Sequence, residues 1–310
     1  MTAPAQDWTI DNPLWDAAKP RLSVLIPFLG DDPVQLAQEL AAQSSHIEIV
    51  LLDDGGKDPA LATRVSEAVQ ALPAPARFVK LAANVGRAKG RNRLAAQSRA
   101  KHLLFLDADM LPDSPAFIAD WLALITAQNP AVAFGGFSFD RTPARREHAL
   151  HRALALRSDC LPPAQRAEAP EKHLFTSNLL VRRDVFDAIA FDERFTGWGW
   201  EDVEWGMRVA REHPILHPHI PASHIGLDTA ATLARKYEQS AANFARVVEA
   251  HPEVVSGYAS FKVARAIRRL PGRALLRAAA RAAAMAEPLP PKARAFAMRL
   301  YRAALYAEVV

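Results

Sequence analysis

Cysteine and long apolar runs are nearly absent from this 310-residue chain, and glycine is scarce, at 13 residues. The single cysteine, Cys160, cannot form an internal disulfide bond or a cysteine-based zinc site, which excludes a disulfide-stapled secreted module. No stretch of about 18 apolar residues occurs, so we expect no helix that spans a bilayer. The first residues contain no basic segment followed by an apolar one, so we expect no signal peptide and a cytoplasmic location.

The composition that remains is typical of a globular protein, with 50% hydrophobic and 23% charged residues. Its net charge of +4 conceals an uneven distribution along the chain. Residues 259–310 contain 11 Lys and Arg against 2 Asp and Glu, whereas the first 258 residues contain 27 against 32. A basic tail on an acidic body indicates an anionic partner for the tail.

Short apolar runs alternate with helical segments in the first half of the chain. The predicted strands are Arg21–Pro27, Ile47–Leu52, Arg77–Leu81, His102–Leu106 and Ala131–Phe139. The predicted helices between them are Pro33–Gln43, Pro59–Leu72, Arg87–Arg99 and Ser114–Gln128. Strands separated by helices of about 10–15 residues indicate βαβ units and a mostly parallel central sheet flanked by helices.

The second half has a more helical pattern. We predict helices over Arg145–Asp159, Glu201–Glu212 and Thr229–His251, a strand over Phe175–Val181 and a loop over Leu161–His173. Beyond Ser260 the helical pattern is broken at Pro271 and again at Pro288–Pro291. The expected organisation is an N-terminal extension over 1–20, one α/β domain over 21–258 and a basic helical extension over 259–310.

Acidic residues directly follow two of the predicted strands. Asp53 and Asp54 follow the second strand, and Asp107 and Asp109 follow the fourth. Because ligands of an open α/β sheet bind beyond the carboxyl ends of its strands, the two acidic turns indicate one shared site. A pair of carboxylates at i and i+2 favours a hard divalent cation, Mg²⁺ or Mn²⁺. The alternative for Asp53-Asp54-Gly55 is a turn with no further role.

Taken in order, these stretches resemble the nucleotide-sugar glycosyltransferases of the GT-A fold, in the large family 2 group. The matching stretches are Ser23–Pro27, Val50–Gly55, Asn84-Val85-Gly86 with Arg91-Asn92, and Leu106–Asp109. The resemblance implies a sugar-nucleotide site in which Asp107 and Asp109 form the metal-binding DXD motif. The donor-binding residues that it implies are Pro27, Asp53, Asp54, Asn84, Arg91 and Asp107.

A second signature lies further along, in Phe195-Thr196-Gly197-Trp198-Gly199-Trp200-Glu201-Asp202. It resembles the Trp-Gly-Gly-Glu-Asp region of the β1,4-galactosyltransferase-like and chondroitin-polymerase-like enzymes. Trp200 departs from that pattern, since those enzymes usually have glycine at its position. Upstream, Thr176-Ser177-Asn178 also fits the family, which adds Asn178 to the implied donor-binding residues.

Glu201 and Asp202 stand at the start of a predicted helix. A carboxylate beside the acceptor hydroxyl can accept its proton, and a helix N-terminus favours the ionised form. The resemblance implies Asp202 as this general base, with Glu201 orienting the acceptor; the alternative is that both only cap the helix. Trp198 and Trp200 favour the first interpretation, because aromatic rings suit the apolar faces of sugars, with core packing as their alternative.

The galactosyltransferase-like relatives take a further metal ligand, a histidine, from a strand after this helix. The segment Ile215–Ile225 offers His217, His219 and His224. His224 best fits the family position and His219 is second, and the sequence does not choose among the three.

The resulting expectation is an inverting, metal-dependent glycosyltransferase with a UDP-sugar as donor and a glycan or lipid-linked acceptor. The alternatives are a metal-dependent nucleotidyltransferase and a catalytically inactive sugar-nucleotide-binding homologue. For the tail, arginines every four residues from Arg265 to Arg281 favour an anionic membrane surface, reached peripherally from the cytoplasm. The alternative is a pair of helices packed on the catalytic domain. No recognisable nucleic-acid module accompanies the tail, so we expect no nucleic-acid partner.

Overall fold

The computed structural model describes residues 6–310 of the chain. Its strands are β1 (Trp8–Asp11), β2 (Leu22–Phe28), β3 (Ile47–Asp53), β4 (Ala76–Lys80), β5 (His102–Leu106), β6 (Met110–Pro112), β7 (Val132–Phe134), β8 (Phe137–Ser138), β9 (Asn178–Arg182), β10 (Ile215–Leu216) and β11 (Ala222–His224). The helices of the first half are α1 (Val34–Ala41), α2 (Pro59–Ala71), α3 (Arg87–Ala96), α4 (Phe117–Gln128) and, after a 3₁₀ turn at Arg146–His148, α5 (Ala149–Ala155). Those that follow are α6 (Pro163–Arg166), α7 (Arg183–Ala188), α8 (Glu201–Val209), α9 (Ala230–Ala250), α10 (Pro252–Val255), α11 (Ala259–Arg268), α12 (Arg273–Met285) and α13 (Pro291–Tyr306).

The larger sheet has the strand order β1-β4-β3-β2-β5-β9-β7-β10, and β6-β11-β8 form a small second sheet. β2 pairs in parallel with both β3 and β5, and β3 pairs in parallel with β4, as βαβ units require. β1 and β9 run antiparallel to their neighbours. The predicted mostly parallel sheet flanked by helices, with helices at the C-terminal end of the chain, is confirmed.

The central strands form because each is a continuous apolar run that helices cover on both faces. Along β3, Ile49 and Leu51 belong to one hydrophobic cluster, whereas Val50 and Leu52 belong to another. This alternation is what a strand produces when its successive side chains point to opposite faces.

The strand order reverses at β2, since β3 and β4 lie on one side of it and β5 lies on the other. The strands that meet there end at Phe28, Asp53 and Leu106. In open α/β sheets a reversal of this kind opens a crevice at the carboxyl ends of the strands, where ligands bind.

The prediction of one strand over Ala131–Phe139 is wrong, because β7 and β8 are separate strands in different sheets. Gly135 and Gly136 interrupt the run. A Cβ on Gly135 would lie 2.4 Å from the backbone oxygen of Ile220, and Gly136 adopts a φ of +102°. Only glycine tolerates that close approach and that conformation. The predicted loop over Leu161–His173 contains the short helix α6.

The chain divides into two compact units. The first comprises the described part of Met1–Thr142 together with Leu161–Glu193 and Trp205–Gly226, and it contains both sheets. The second comprises Pro143–Cys160, Arg194–Glu204 and Leu227–Val310. Over residues 6–310, no helix is long and apolar enough to cross a membrane.

The second unit is helical and has its own hydrophobic core, in which α13 packs against α5, α9, α11 and α12. The core side chains include Leu150, Leu233, Ala284, Met298 and Tyr301. The helices of the predicted basic extension therefore contribute their apolar faces to this unit.

Candidate active site

Asp53 ends β3 and is only 1% exposed. Its carboxylate accepts hydrogen bonds from the Lys80 Nζ at 2.8 Å and from the Gly56 N–H at 2.6 Å. Lys80 also donates to the backbone oxygen of Gly56. This buried ion pair fixes the turn at the carboxyl end of β3, so Asp53 does form a structural turn, as well as lying at the predicted ligand edge.

Asp54 holds the loop that leads into α3. Its carboxylate accepts hydrogen bonds from the N–H groups of Val85 at 2.8 Å and Gly86 at 3.0 Å. The Asn84 side chain donates to the backbone oxygen of Asp54 at 3.1 Å. Burial raises the pKa of Asp54 above its ordinary value, in spite of those two backbone hydrogen bonds. The structure therefore brings Asp54 and Asn84 together.

Asp107, directly after β5, lies against two arginines of α3. Arg91 is 2% exposed and its Nη2 lies 2.6 Å from Asp107 Oδ1, while the Arg87 Nη2 lies 3.6 Å from Oδ2. Burial opposes ionisation of Asp107, but the guanidinium groups of Arg91 and Arg87 and the Ser177 hydroxyl outweigh it and hold the pKa of Asp107 below its ordinary value. Two residues expected at the donor site thus form one ion pair, in which the arginine is buried and the carboxylate is partly exposed.

Asp109 lies against His224, where β6 pairs with β11. The Asp109 Oδ2 and the His224 Nε2 are 3.0 Å apart, and His224 stands opposite Met110 in the register of the two strands. A Cβ on Gly226 would lie 2.2 Å from the Asp109 carboxylate, so the following glycine leaves room for this contact. The antiparallel pairing of the short strands β6 and β11 therefore brings together residues that are far apart in the sequence.

The other two histidines of this segment lie elsewhere. The His217 Nε2 is 3.2 Å from the backbone oxygen of Pro170. Burial, with a contribution from the Arg166 charge, lowers the pKa of His217 to about 4. His219 is exposed to solvent. Of the three candidates, His224 is the one that lies against an acidic member of the Asp107-Ala108-Asp109 run.

Asp109 and His224 offer a carboxylate oxygen and an imidazole nitrogen, donors that suit Mn²⁺ and, for the oxygen, Mg²⁺. Mg²⁺ commonly takes one or two protein carboxylates and completes its coordination with substrate phosphates and water. Within the described residues, no group of three His, Cys, Asp or Glu side chains is arranged to hold a metal ion. The pair of donors fits an ion that is shared with a phosphate-containing substrate.

Asn178 and Pro27 have different surroundings. Asn178 is fully buried in β9, opposite Leu106, and its amide donates to the backbone oxygens of Gly136 at 3.0 Å and Ile220 at 2.8 Å. Its side chain therefore ties the interrupted strand region to the segment before β11. Pro27 is half-buried, one residue before the end of β2.

In the second unit, α8 begins with the acidic residues Glu201, Asp202 and Glu204. Asp202 is half-buried, and its Oδ1 accepts a hydrogen bond from the Val203 N–H at 2.9 Å, whereas Glu201 is buried. The Glu204 carboxylate lies 3.1 Å from the Nε2 of buried His251. The first turn of α8 therefore presents Asp202 between two buried carboxylates.

The loop before α8 has an unusual backbone. Gly197, Gly199 and Trp200 adopt φ values of 73°, 91° and 75°. Glycine adopts this left-handed conformation freely, but a residue with a side chain loses roughly 1–2 kcal/mol in it. The Trp200 carbonyl accepts the Glu204 N–H at 2.9 Å, so this strained residue is where α8 begins.

Two residues of α9 and one of α13 hold this loop. The Asn243 amide donates to the backbone oxygens of Thr196 at 2.9 Å and Gly199 at 2.8 Å. The Trp200 Nε1–H donates to the Tyr306 Oη at 2.8 Å, and that Oη lies 2.9 Å from the Ser240 Oγ. No sequence motif marks these three residues; the sequence shows only the three-residue spacing that puts Ser240 and Asn243 on one helix face.

The two tryptophans of the loop have different neighbours. The Trp200 ring lies 4.9 Å from the Phe244 ring, between centroids. The Trp198 ring is half-buried, with its centroid 5.9 Å from that of Tyr237 in an edge-on arrangement and 5.8 Å from the Lys236 Nζ. Trp198 therefore has an aromatic face accompanied by a cation, whereas Trp200 belongs to an aromatic cluster.

The fold and the first-unit site define a class of enzyme, the glycosyltransferases of the GT-A fold. Residues 23–190 match the family model described as Glycosyl transferase family 2, and the chain belongs to that family. No curated protein matches the chain in sequence.

Two solved proteins share this fold at low sequence identity. The mannosyltransferase PcManGT from Pyrobaculum calidifontis, in complex with GDP-Man and Mn²⁺, is 16% identical, with a TM-score of 0.56, and the match covers 96% of this chain and 89% of that one. TarS residues 1–349 from S. aureus are 17% identical, with a TM-score of 0.51 and coverages of 91% and 89%. A second structure of the same TarS segment, in complex with UDP, is 14% identical with a TM-score of 0.50 and the same coverages.

Proposed function

We propose that this family 2 glycosyltransferase transfers a sugar, with inversion and with the help of a divalent cation, from a UDP-sugar to a glycan or lipid-linked acceptor. The observation that carries the proposal is the pairing of Asp109 with His224 at 3.0 Å, close in sequence to the Asp107–Arg91 ion pair. The complexes of the two similar structures, with GDP-Man and Mn²⁺ in one and UDP in the other, support a nucleoside diphosphate donor.

The donor-binding residues stand at the reversal point of the large sheet. Pro27, Asp53, Asp54 and Asn84 would contact the base and ribose, because they lie at the ends of β2 and β3 and in the loop before α3. Asp107, held by Arg91, would position the donor beside them. Asn178 supports this edge from within β9 through its hydrogen bonds to Gly136 and Ile220.

Asp109 and His224 would hold the cation, Mn²⁺ or Mg²⁺. When bound, the ion would neutralise the negative charge that develops on the departing nucleoside diphosphate. The protein contributes a carboxylate and an imidazole whose positions are fixed by the β6–β11 pairing.

In the transfer step the acceptor oxygen forms a bond to the anomeric carbon as the bond from that carbon to the phosphate oxygen breaks. The electron pair of the broken bond leaves with the nucleoside diphosphate, and Asp202 accepts the proton of the acceptor hydroxyl. The α8 N-terminus favours the ionised form of Asp202 that this role requires. Glu201 would orient the acceptor, and the half-buried face of Trp198 would pack against a sugar ring.

A donor screen tests the proposal. UDP-glucose, UDP-galactose, UDP-N-acetylglucosamine and GDP-mannose are each incubated with the full chain and Mn²⁺, and release of the nucleoside diphosphate is measured with and without EDTA. We expect release from a UDP-sugar that EDTA abolishes and that Asp109→Asn abolishes. Asp120→Asn, which removes an exposed carboxylate of α4, is the matched control and should behave as wild type. Release that is unaffected by EDTA would contradict the metal assignment, and UDP binding without release would indicate a binding homologue.

We also propose that the basic C-terminal helices contact an anionic membrane surface. Two apolar side chains are exposed where α11 gives way to α12, Leu270 in the loop at 49% and Leu275 in the first turn of α12 at 75%. Arg268, Arg269 and Arg273 are exposed in the same short segment. Exposed leucines among arginines suit the boundary between lipid headgroups and acyl chains, and each basic residue near such a surface contributes about 1 kcal/mol.

Co-sedimentation with vesicles tests the membrane proposal. The full chain should sediment with vesicles of phosphatidylglycerol and phosphatidylcholine at low salt, but not with phosphatidylcholine alone. The double variant Leu270→Ser with Leu275→Ser should weaken binding by about tenfold or more, because each side chain loses its apolar transfer free energy. Phe296→Ser, which removes an exposed apolar side chain of α13, serves as the comparison. Protein that remains in the supernatant with anionic vesicles would contradict the proposal.

A further inference from the structure

Tyr306, the last residue of α13, forms a chain of hydrogen bonds that ends on the loop before α8. An indole N–H can only donate, so Trp200 donates to the Tyr306 Oη at 2.8 Å. The Ser240 hydroxyl donates to the backbone oxygen of Tyr237 at 2.9 Å, so its oxygen is left to accept from the Tyr306 O–H at 2.9 Å. The Tyr306 hydroxyl therefore accepts from Trp200 and donates to Ser240, and both of its roles are used.

The same hydroxyl lies in a buried and closely packed environment. Tyr306 is 2% exposed and Ser240 is fully buried. The Tyr306 ring stacks on Phe244 with 4.2 Å between centroids and an interplanar angle of 20°. An aromatic ring held in this way fixes the position of its hydroxyl, because rotation would break the stacking as well as the two hydrogen bonds.

The backbone of Trp200 connects the Tyr306 hydrogen bond to the start of α8. Its φ of 75° is a conformation that glycine adopts freely and a tryptophan does not. Its carbonyl accepts the Glu204 N–H at 2.9 Å, the first hydrogen bond of α8. The indole anchor thus holds the strained residue that sets where α8 starts, two positions before Asp202.

We propose that Tyr306, acting through Trp200, is a positioning residue for Asp202, so that the C-terminal helix forms part of the catalytic machinery. The inference depends on the proposed role of Asp202 as general base. The buried contact between Glu204 and His251, at 3.1 Å, holds the other side of the same helical turn. A residue of α13 and the residue that follows α9 therefore fix the first turn of α8 at two points.

Tyr306→Phe tests this role with the smallest change, because it keeps the stacked ring and removes only the hydroxyl. The probe is release of UDP from the UDP-sugar that is active in the donor screen, with Mn²⁺. We expect turnover to fall by about tenfold, the effect of one lost hydrogen bond that acts on the position of a reacting group. The affinity for UDP with Mn²⁺ should stay within twofold of wild type.

Tyr301→Phe is the matched control. Tyr301 lies on the same helix, is 3% exposed and donates its hydroxyl to the Glu238 carboxylate at 2.5 Å. It should lose as much thermal stability as Tyr306→Phe and yet keep its turnover. Trp200→Gly relieves the backbone strain but removes the indole, and we expect it to lower turnover as much as Tyr306→Phe does. Wild-type turnover in Trp200→Gly would contradict the anchoring role of the indole.

The Asp202→Asn background separates a positioning role from general loosening of the structure. If Tyr306 acts through Asp202, Tyr306→Phe should not lower the residual turnover of Asp202→Asn any further. A tenfold loss in both backgrounds, or turnover within twofold of wild type in Tyr306→Phe alone, would overturn the inference. Full turnover in Asp202→Asn alone would instead contradict the proposed base, and that outcome does not involve Tyr306.

Discussion

The two units of the chain place their functional side chains in different ways. In the first unit, polar residues stand where strands end, so Asp53 is the last residue of β3 and Asp107 directly follows β5. In the second unit, the loop from 196 to 200 is held by side chains from α9 and α13 that lie 44 to 106 residues away in sequence. At the sheet edge, Asp53 and Asp107 are placed by the strands that precede them, whereas the loop before α8 is fixed by contacts distant in the chain.

The electrostatic character of the two units differs as well. The first unit pairs two of its carboxylates with cations, Asp53 with Lys80 and Asp107 with Arg91. The second unit gathers three acidic side chains in one turn of α8, of which Glu204 contacts His251. Under the proposed function, the first arrangement binds a donor and the second accepts a proton.

Loss of the proposed base should give the largest effect. Asp202→Asn keeps the size of the side chain but removes its basicity, so turnover should fall by about 10²–10⁴-fold. The measurement is initial rate of UDP release under saturating donor. Glu249→Gln, an exposed carboxylate of α9, is the control and should keep full activity. Turnover within a few-fold of wild type would place the base elsewhere, and Glu201 would then be tested.

A substitution in the helical core of the second unit should have the next largest effect. Met298 is fully buried in α13, so Met298→Ala should lower the free energy of unfolding by about 2–5 kcal/mol. Phe296, on the same helix, is 68% exposed, and Phe296→Ala should cost less than about 0.5 kcal/mol. Denaturant titration measures both. Equal effects from the two variants would mean that α13 is not packed in a core.

Loss of His224 should have a smaller effect, which is limited to the concentration of cation that turnover requires. His224→Ala removes one of two proposed ligands, so the concentration of Mn²⁺ that gives half-maximal turnover should rise by about 10–100-fold. Saturating Mn²⁺ should restore part of the rate. His219→Ala, an exposed histidine of the same segment, is the control. An unchanged Mn²⁺ requirement in His224→Ala would exclude this histidine as a ligand.

Sequence patterns predicted the strands of the first unit well, because each strand is specified by the residues within it. Continuous apolar runs gave β2, β3 and β5 to within a residue at each end. In the second unit, the prolines at 271, 288, 290 and 291 gave the breaks between the last helices. The run Ala131–Phe139 failed, since its two glycines serve a close approach to Ile220 that no local pattern reveals. β1 and β6 were not predicted, because each is a short strand of three or four residues.

The candidate site was predictable only in part. The order of the motifs and the family resemblance predicted Asp107, Asp109 and Asp202 as site residues and left three histidines open. That His224 is the histidine that lies near Asp109 follows only from the β6–β11 register. The surroundings of Trp200 were beyond prediction, because its partner Tyr306 is 106 residues away and nothing in the sequence links the two. The role of Trp198 in binding the acceptor stays a prediction.

Calorimetric titration of UDP in the presence of Mn²⁺ tests most directly the claim that the first unit binds the donor and the second supplies the base. Wild type, Asp109→Asn and Asp202→Asn are compared with and without EDTA. The account predicts that Asp202→Asn binds UDP as wild type does, and that Asp109→Asn loses the part of the affinity that depends on Mn²⁺. Metal-dependent binding that survives in Asp109→Asn, or is lost in Asp202→Asn, would contradict it.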